Sequence, residues 1–236
     1  VPNIAKTNYI IFAPKNKLIL NTPQLSFASI NITRVYHTNF LGLTLDHQLK
    51  WHQHVKDTTN KIYRNIPILY KLPHIFSLRT LQMLYHSFIH THILYWLSIY
   101  GLTYKTTLKP IEIAQNTALR AMLFVNRRES AQFAYRFLNI LTVNQCLDCR
   151  VALLTFKFIT NQITCSSISF THQDVMYPLR SHSQASLSVP FIRTNYGAFT
   201  FIYIATKTWN SLPPCLTAMS SFYIVKQAIR AHILSA

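Results

Sequence analysis

The chain has 236 residues, half of them hydrophobic, which suffices for one or two domains with a sizeable buried core and excludes a wholly disordered protein. Twenty-three Lys and Arg stand against six Asp and Glu, and a formal charge of +17 demands a polyanionic partner, either nucleic acid or an anionic membrane surface. Three glycines are too few for a P-loop or a dinucleotide-binding turn, so nucleotide binding of those kinds is excluded.

The first forty-odd residues read as strands. Thr7 to Ala13 is rich in β-branched and aromatic residues up to Pro14, and Lys17 to Leu20 and Arg34 to Leu45 continue the pattern between turn formers. From Lys50 the period becomes helical: Trp51, Val55, Ile62, Ile66 and Leu69 fall on one side. Lys50, His54, Lys61, Arg64 and Lys71 fall on the other, with Asp57 the single acid among them. A solvated helix side normally mixes signs, so this bias marks a surface for phosphates. Pro67 deletes an amide donor and predicts a kink or break near Asn65.

Ser77 is placed to cap a second helix through Leu81, Leu84, Tyr85, Phe88 and Ile89, with Gly101 near its end. No charge occurs between Arg79 and Lys105, and Leu81 to Leu102 is long enough to cross a bilayer as one helix. Gln82, His86, His90, His92 and Ser98 interrupt it, however, and are costly in hydrocarbon, so a buried core helix is expected. Helical spacing returns over Leu108 to Phe124 and Val143 to Thr160. From about Ile163 the chain is Ser- and Thr-rich, with Pro178 and Pro190, and reads as a linker or arm. Tyr196 to Trp209 and Ser220 to Leu234 predict a final helical unit.

Cys146 and Cys149 have the spacing of half a zinc site, with Cys165 at a plausible distance for a third ligand, but no fourth partner follows. On a helix the pair shares a face as small hydrophobes. His86 and His90 lack the glutamate of a metalloprotease helix, and no GxSxG elbow occurs. No metal site, cofactor or small-molecule substrate is expected in this chain. Four irregularly spaced cysteines favour a reducing compartment, and Val1 opens the chain with no leader pattern behind it. The expectation is an intracellular fragment, with the nucleus among its locations.

Phe40-Leu41-Gly42-Leu43-Thr44-Leu45-Asp46, followed by Leu49-Lys50-Trp51 and His54-Val55, resembles a segment of LINE-type (non-LTR) retrotransposon reverse transcriptases. Further pieces follow that family's order. Asn3 to Thr7, leading into Tyr9 to Phe12, is similar to the strand after the polymerase active site, and Leu84 to Ile89 with Leu94-Tyr95 to part of the thumb. Ile111 to Arg120 is similar to a later helix, and Trp209-Asn210-Ser211-Leu212-Pro213, with Ser220 and Phe222, to the C-terminal tail.

The resemblance implies an α+β chain with a small N-terminal β portion, a mostly helical thumb and a helical C-terminal extension. Residues 1–49 would be the end of the palm and the primer-grip strands, 50–162 the thumb-like region, 163–195 an arm and 196–236 the tail. Its partners would be an RNA template, a DNA primer and the palm and fingers region. Phe40, Leu41, Gly42 and Leu43 would form the primer grip, and Lys50, His54, Lys61, Arg64 and Lys71 would face the nucleic-acid backbone. Lys6 would occupy the strand lysine beside the leaving pyrophosphate, where an ammonium can donate a proton. The palm aspartates that hold two metal ions in the family have no counterpart, and Asp46 stands alone. Mg2+ is therefore expected only for the full-length polymerase, and no catalysis from this chain. Two other readings fit the same residues: a stand-alone nucleic-acid-binding protein derived from a degenerate element, and a basic helical protein at a membrane.

Overall fold

The computed structural model describes residues 7–14, 23–27, 30–126, 128–172 and 186–235. Lys6, the strand expected over Lys17 to Leu20, and Pro178 lie outside them. The chain is α+β, with short strands first and helices after. Strands β1 (Asn8–Tyr9) and β4 (Thr33–Arg34) pair in parallel, β2 (Ser26–Phe27) and β3 (Ile30–Asn31) pair antiparallel, and β5 (His37–Phe40) and β6 (Leu43–Asp46) form a hairpin. Phe12, Phe27, Ile30, Tyr36 and Phe40 of this β portion are exposed.

Helix α1 (His52–Lys71) buries Trp51, Val55, Ile62, Ile66 and Leu69, as its period predicts. The break expected near Asn65 is absent. Ile66 and Leu69, both buried, anchor the last turns to the core, while Pro67 and Tyr63 are exposed, so the carbonyl deprived of its donor can meet water. Asn65 instead donates through Nδ2 to the Phe88 carbonyl at 2.9 Å.

The second helical stretch is not one helix. Ser77 caps α2 (Leu78–Tyr85), accepting from the Thr80 amide at 3.4 Å, as expected. A π-helical turn (His86–His90) follows, then α3 (Thr91–Leu94), and α4 (Leu97–Tyr100) begins only after a break at Tyr95 and Trp96, where Trp96 takes φ 58°. Side chains donate to carbonyls around these irregularities: Thr91 Oγ1 to Ser87, Asn65 Nδ2 to Phe88 and Tyr100 Oη to Ile93. Leu81, Tyr85, Ile89, Ile93, Leu97 and Tyr100 are buried, whereas Phe88 is exposed, contrary to the helical pattern, because the π turn shifts the register. No single helix among the described residues is long and apolar enough to cross a membrane. The pair that reaches the length together, α6 (Gln132–Leu138) and α7 (Val143–Ile159), is bent by 46° at the break between them.

Helix α5 (Lys105–Leu123) packs along α1 and carries the buried Gln115, whose Nε2 donates to Tyr85 Oη and to the Leu141 carbonyl, each at 2.9 Å. Tyr135 Oη on α6 lies 3.0 Å from Gln115 Oε1 and 2.7 Å from Asn116 Oδ1. This network ties α2, α5 and α6 to the loop before α7. Thr142 and Gln145 form a capping box at the start of α7. That helix joins two cores: Val143 and Cys146 belong to the cluster of α1 to α6, and Ala152 and Phe156 to a second cluster. The second contains Leu187, α9 (Phe201–Asn210), α10 (Pro214–Thr217) and α11 (Phe222–Ser235), preceded by the short α8 (Asn195–Ala198). The Asn210 side-chain amide holds the Leu187 backbone by two hydrogen bonds, accepting from its N–H and donating to its carbonyl. Cys149 packs against both clusters, and burial pushes the Cys146 thiol up to about 12.

Burial, helped by the neighbouring His86, Arg230 and Arg150, pushes His90 down to about 4. Its unfolded value is near 6.5, so between 6.5 and 4 the unfolded chain binds the extra proton, and stability falls as the pH drops through that window. At pH 5 the expected loss is on the order of 2 kcal/mol relative to pH 8. Urea midpoints across this range test it, and His90→Gln should flatten the profile.

Candidate nucleic-acid interface

The hairpin turn is built by Leu41 and Gly42, both at positive φ (47° and 76°), the geometry of a two-residue turn whose twist matches its strands. A Cβ on Gly42 would stand 3.3 Å from the Tyr95 ring, in addition to its backbone strain. The Leu41 carbonyl accepts from Tyr95 Oη at 2.7 Å and from Trp96 Nε1 at 3.1 Å. The helix break thus clamps the hairpin tip from behind. Phe40 and Leu41 stay 61% and 64% exposed while Leu43 is buried, so the turn offers a fixed apolar tip on a rigid base.

At the other end of the hairpin, the Asp46 carboxylate accepts from the backbone amides of Lys50 and Trp51, each at 3.0 Å. It closes the turn into α1, and among the described residues no three His, Cys, Asp or Glu side chains converge as metal ligands. The donors present therefore do not fit a two-Mg2+ polymerase site.

Hairpin and α1 enclose a cavity of about 360 Å³ lined by Asn39, Gly42, Thr44, Asp57, Lys61 and Arg64, with His54 in its wall. Lys61 and Arg64 are exposed and Asn39 adds an amide, so the rim carries donors suited to phosphate oxygens. Asp57 opposes them, but its carboxylate is engaged: Gln53 Nε2 donates to Oδ1 at 3.0 Å, and Thr44 Oγ1 lies 3.3 Å from Oδ2.

His54 departs from the basic face that its spacing suggests. It is 4% exposed, packs tilted against the Tyr100 ring with centroids 4.8 Å apart, and its Nδ1 accepts from the Thr44 amide at 3.3 Å. The hairpin folds over this edge of α1 and covers the imidazole. Burial, and next the Lys61 charge, lower its pKa against a raising effect from Asp57, so the ring is neutral at pH 7 and contributes no charge to the surface. Accepting at Nδ1 places its proton on Nε2, which is buried without a partner.

The other basic residues separate. Lys50 borders a different cavity, about 1130 Å³, walled by Trp51, Trp96 and Phe199. Lys71 is at the far end of α1, about 15 Å along the axis from Lys61. The structure thus gathers Gly42, Lys61 and Arg64 and disperses Lys50 and Lys71. It places Tyr95, from the Leu94-Tyr95 string, against the hairpin and adds Trp96, for which sequence offers only the weak signal of an aromatic in an apolar run.

The arrangement defines an α+β chain that sets a clamped hairpin tip beside a basic helix surface. It is similar to a Drosophila melanogaster protein described as a probable RNA-directed DNA polymerase from transposon BS, with 27% identity over 127 residues, 52% of this chain and 14% of that protein. That likeness supports a relationship to reverse transcriptases. No protein-family model and no solved structure matches the chain.

Proposed function

We propose that this chain is the template-and-primer-holding part of a non-LTR retrotransposon reverse transcriptase, comprising the end of the palm, the primer-grip hairpin, the thumb and a C-terminal extension. The observation that carries this reading is the convergence of the clamped Leu41-Gly42 turn with Lys61 and Arg64 around one cavity. A primer end needs a positioned backbone and an apolar tip to abut, and a duplex backbone needs cations along its path. Likeness to a transposon polymerase over half the chain supports the reverse-transcriptase relationship within this reading.

The exposed Phe12, Phe27, Ile30 and Tyr36 suit packing against a palm and fingers region that holds the metal-binding carboxylates and Mg2+. The setting is intracellular, and nuclear where the template is copied into a genome. The chain alone should give no primer extension on an RNA template with Mg2+ or Mn2+ while retaining primer-template binding in a gel-shift titration. Template-dependent extension by purified chain would refute the division of labour. Absence of binding at low salt would refute the holding role.

A further inference from the structure

A second concave surface lies away from the hairpin, between the π turn, α7 and α11. It encloses about 430 Å³, and four cations surround it: Arg150 and Lys157 from α7, Lys226 and Arg230 from α11. No acid lines it, and among the described residues none of the four has an ion-pair partner. Such a one-signed cleft with low-dielectric walls focuses its field on an incoming anion. Like charges gathered without an acid repel one another, and an anion between them removes that cost.

The floor is of a different character. Leu94, Leu153 and Phe222 line it, and Lys157 Nζ sits 4.6 Å from the centre of the Phe222 ring, so the cation and the aromatic face belong to one surface. His86 and His90 of the π turn form a wall with their rings 5.0 Å apart, and His90 Nδ1 is buried with no hydrogen-bond partner. That atom is closed off from the cavity, so the wall contributes ring surface rather than a hydrogen-bonding atom. A bare inorganic anion would use the cations and leave the apolar floor wet. An anion carrying a flat, stackable body would use cations and floor together.

We propose that this cavity is a nucleotide-binding site, taking a phosphate among Arg150, Lys157, Lys226 and Arg230 and the attached base against Leu153 and Phe222. The ligand is a free nucleotide or the phosphorylated end of a strand. The site does not depend on the polymerase reading, because it shares no residue with the hairpin surface.

Calorimetric titration of the whole chain with adenosine monophosphate, adenosine and inorganic phosphate tests it. The monophosphate should bind at least tenfold more tightly than either half. Arg150→Gln with Arg230→Gln should weaken it tenfold or more, and so should Leu153→Trp, which fills the cavity and keeps every charge. Lys61→Ala with Arg64→Ala should leave it unchanged, which separates this site from the proposed primer-template surface. Displacement of the monophosphate by a 5′-phosphorylated oligothymidylate at lower concentration, and not by its 5′-hydroxyl form, would assign a strand end, and no displacement a free nucleotide. Three results would overturn the proposal: phosphate binding as tightly as the monophosphate, full binding by the Leu153→Trp chain with its circular dichroism intact, or phosphatidylserine vesicles binding through the same arginines while the monophosphate does not.

Discussion

Gln115→Ala is expected to destabilise the chain by roughly 3–5 kcal/mol, the sum of a cavity and of polar groups left unpaired in the core. The side chain is fully buried and is met from three directions, by Tyr85 Oη, by the Leu141 carbonyl and by Tyr135 Oη. Burial raises the pKa of Tyr85 far above its ordinary value, so its phenol stays protonated and, without Gln115, loses its donor with no water to replace it. In a chain of this size the melting temperature should fall on the order of 10 °C. Gln115→Met keeps most of the volume and so isolates the polar share, and it should cost less than Gln115→Ala. Asn116→Ala, at a half-buried position whose partner Tyr135 keeps Gln115, should cost about 1 kcal/mol or less. Equal losses for Gln115→Ala and Asn116→Ala, by urea denaturation, would show that the network is not centred on Gln115.

Gln115 and Asn116 stand in the string from Ile111 to Arg120 that resembles a reverse-transcriptase helix, and the network gives that string a structural reason independent of nucleic acid. It lets one side chain fasten two other helices and a loop. The core stripe of α1, the Ser77 cap and the extent of α5 and α7 were readable because each rests on contacts within a few residues: an apolar period, a cap or a side-chain bond to its own turn. The break at Trp96 was not readable, since what stabilises it is the Leu41 carbonyl, 55 residues earlier in the chain. His54 reads as part of the charged side of α1 and is covered only because the hairpin folds over it. Helix α6 has no period strong enough to announce seven residues. The basic cavity between α7 and α11 is half legible: Arg150 and Lys157 are two turns apart on one helix, and Lys226 and Arg230 one turn apart on another. Nothing local says that the two pairs meet.

Lys61→Ala with Arg64→Ala is expected to weaken primer-template binding similarly for every sequence and to flatten its salt dependence. Both residues are exposed on α1 at the rim of the cavity beneath the hairpin, where a phosphate can reach both. Each phosphate neutralised releases condensed counterions and contributes about 0.7 to 0.9 to the slope of log affinity against log salt, so the double variant should lose about 1 to 2 units of slope. Sequence independence follows because phosphates carry no base information. Asp57→Asn should act in the opposite sense, since it removes the acid that shares the cavity and spares its hydrogen-bonding shape. Arg193→Ala with Lys207→Ala, two exposed cations in the C-terminal unit, removes the same charge elsewhere and should alter the slope less. His54→Gln should leave the slope unchanged, because a neutral imidazole displaces no counterion. If fluorescence anisotropy gave the same slope change for both cation pairs, diffuse net charge rather than the hairpin-side surface would hold the nucleic acid. An unaltered slope in a folded Lys61 and Arg64 variant would remove α1 from the interface.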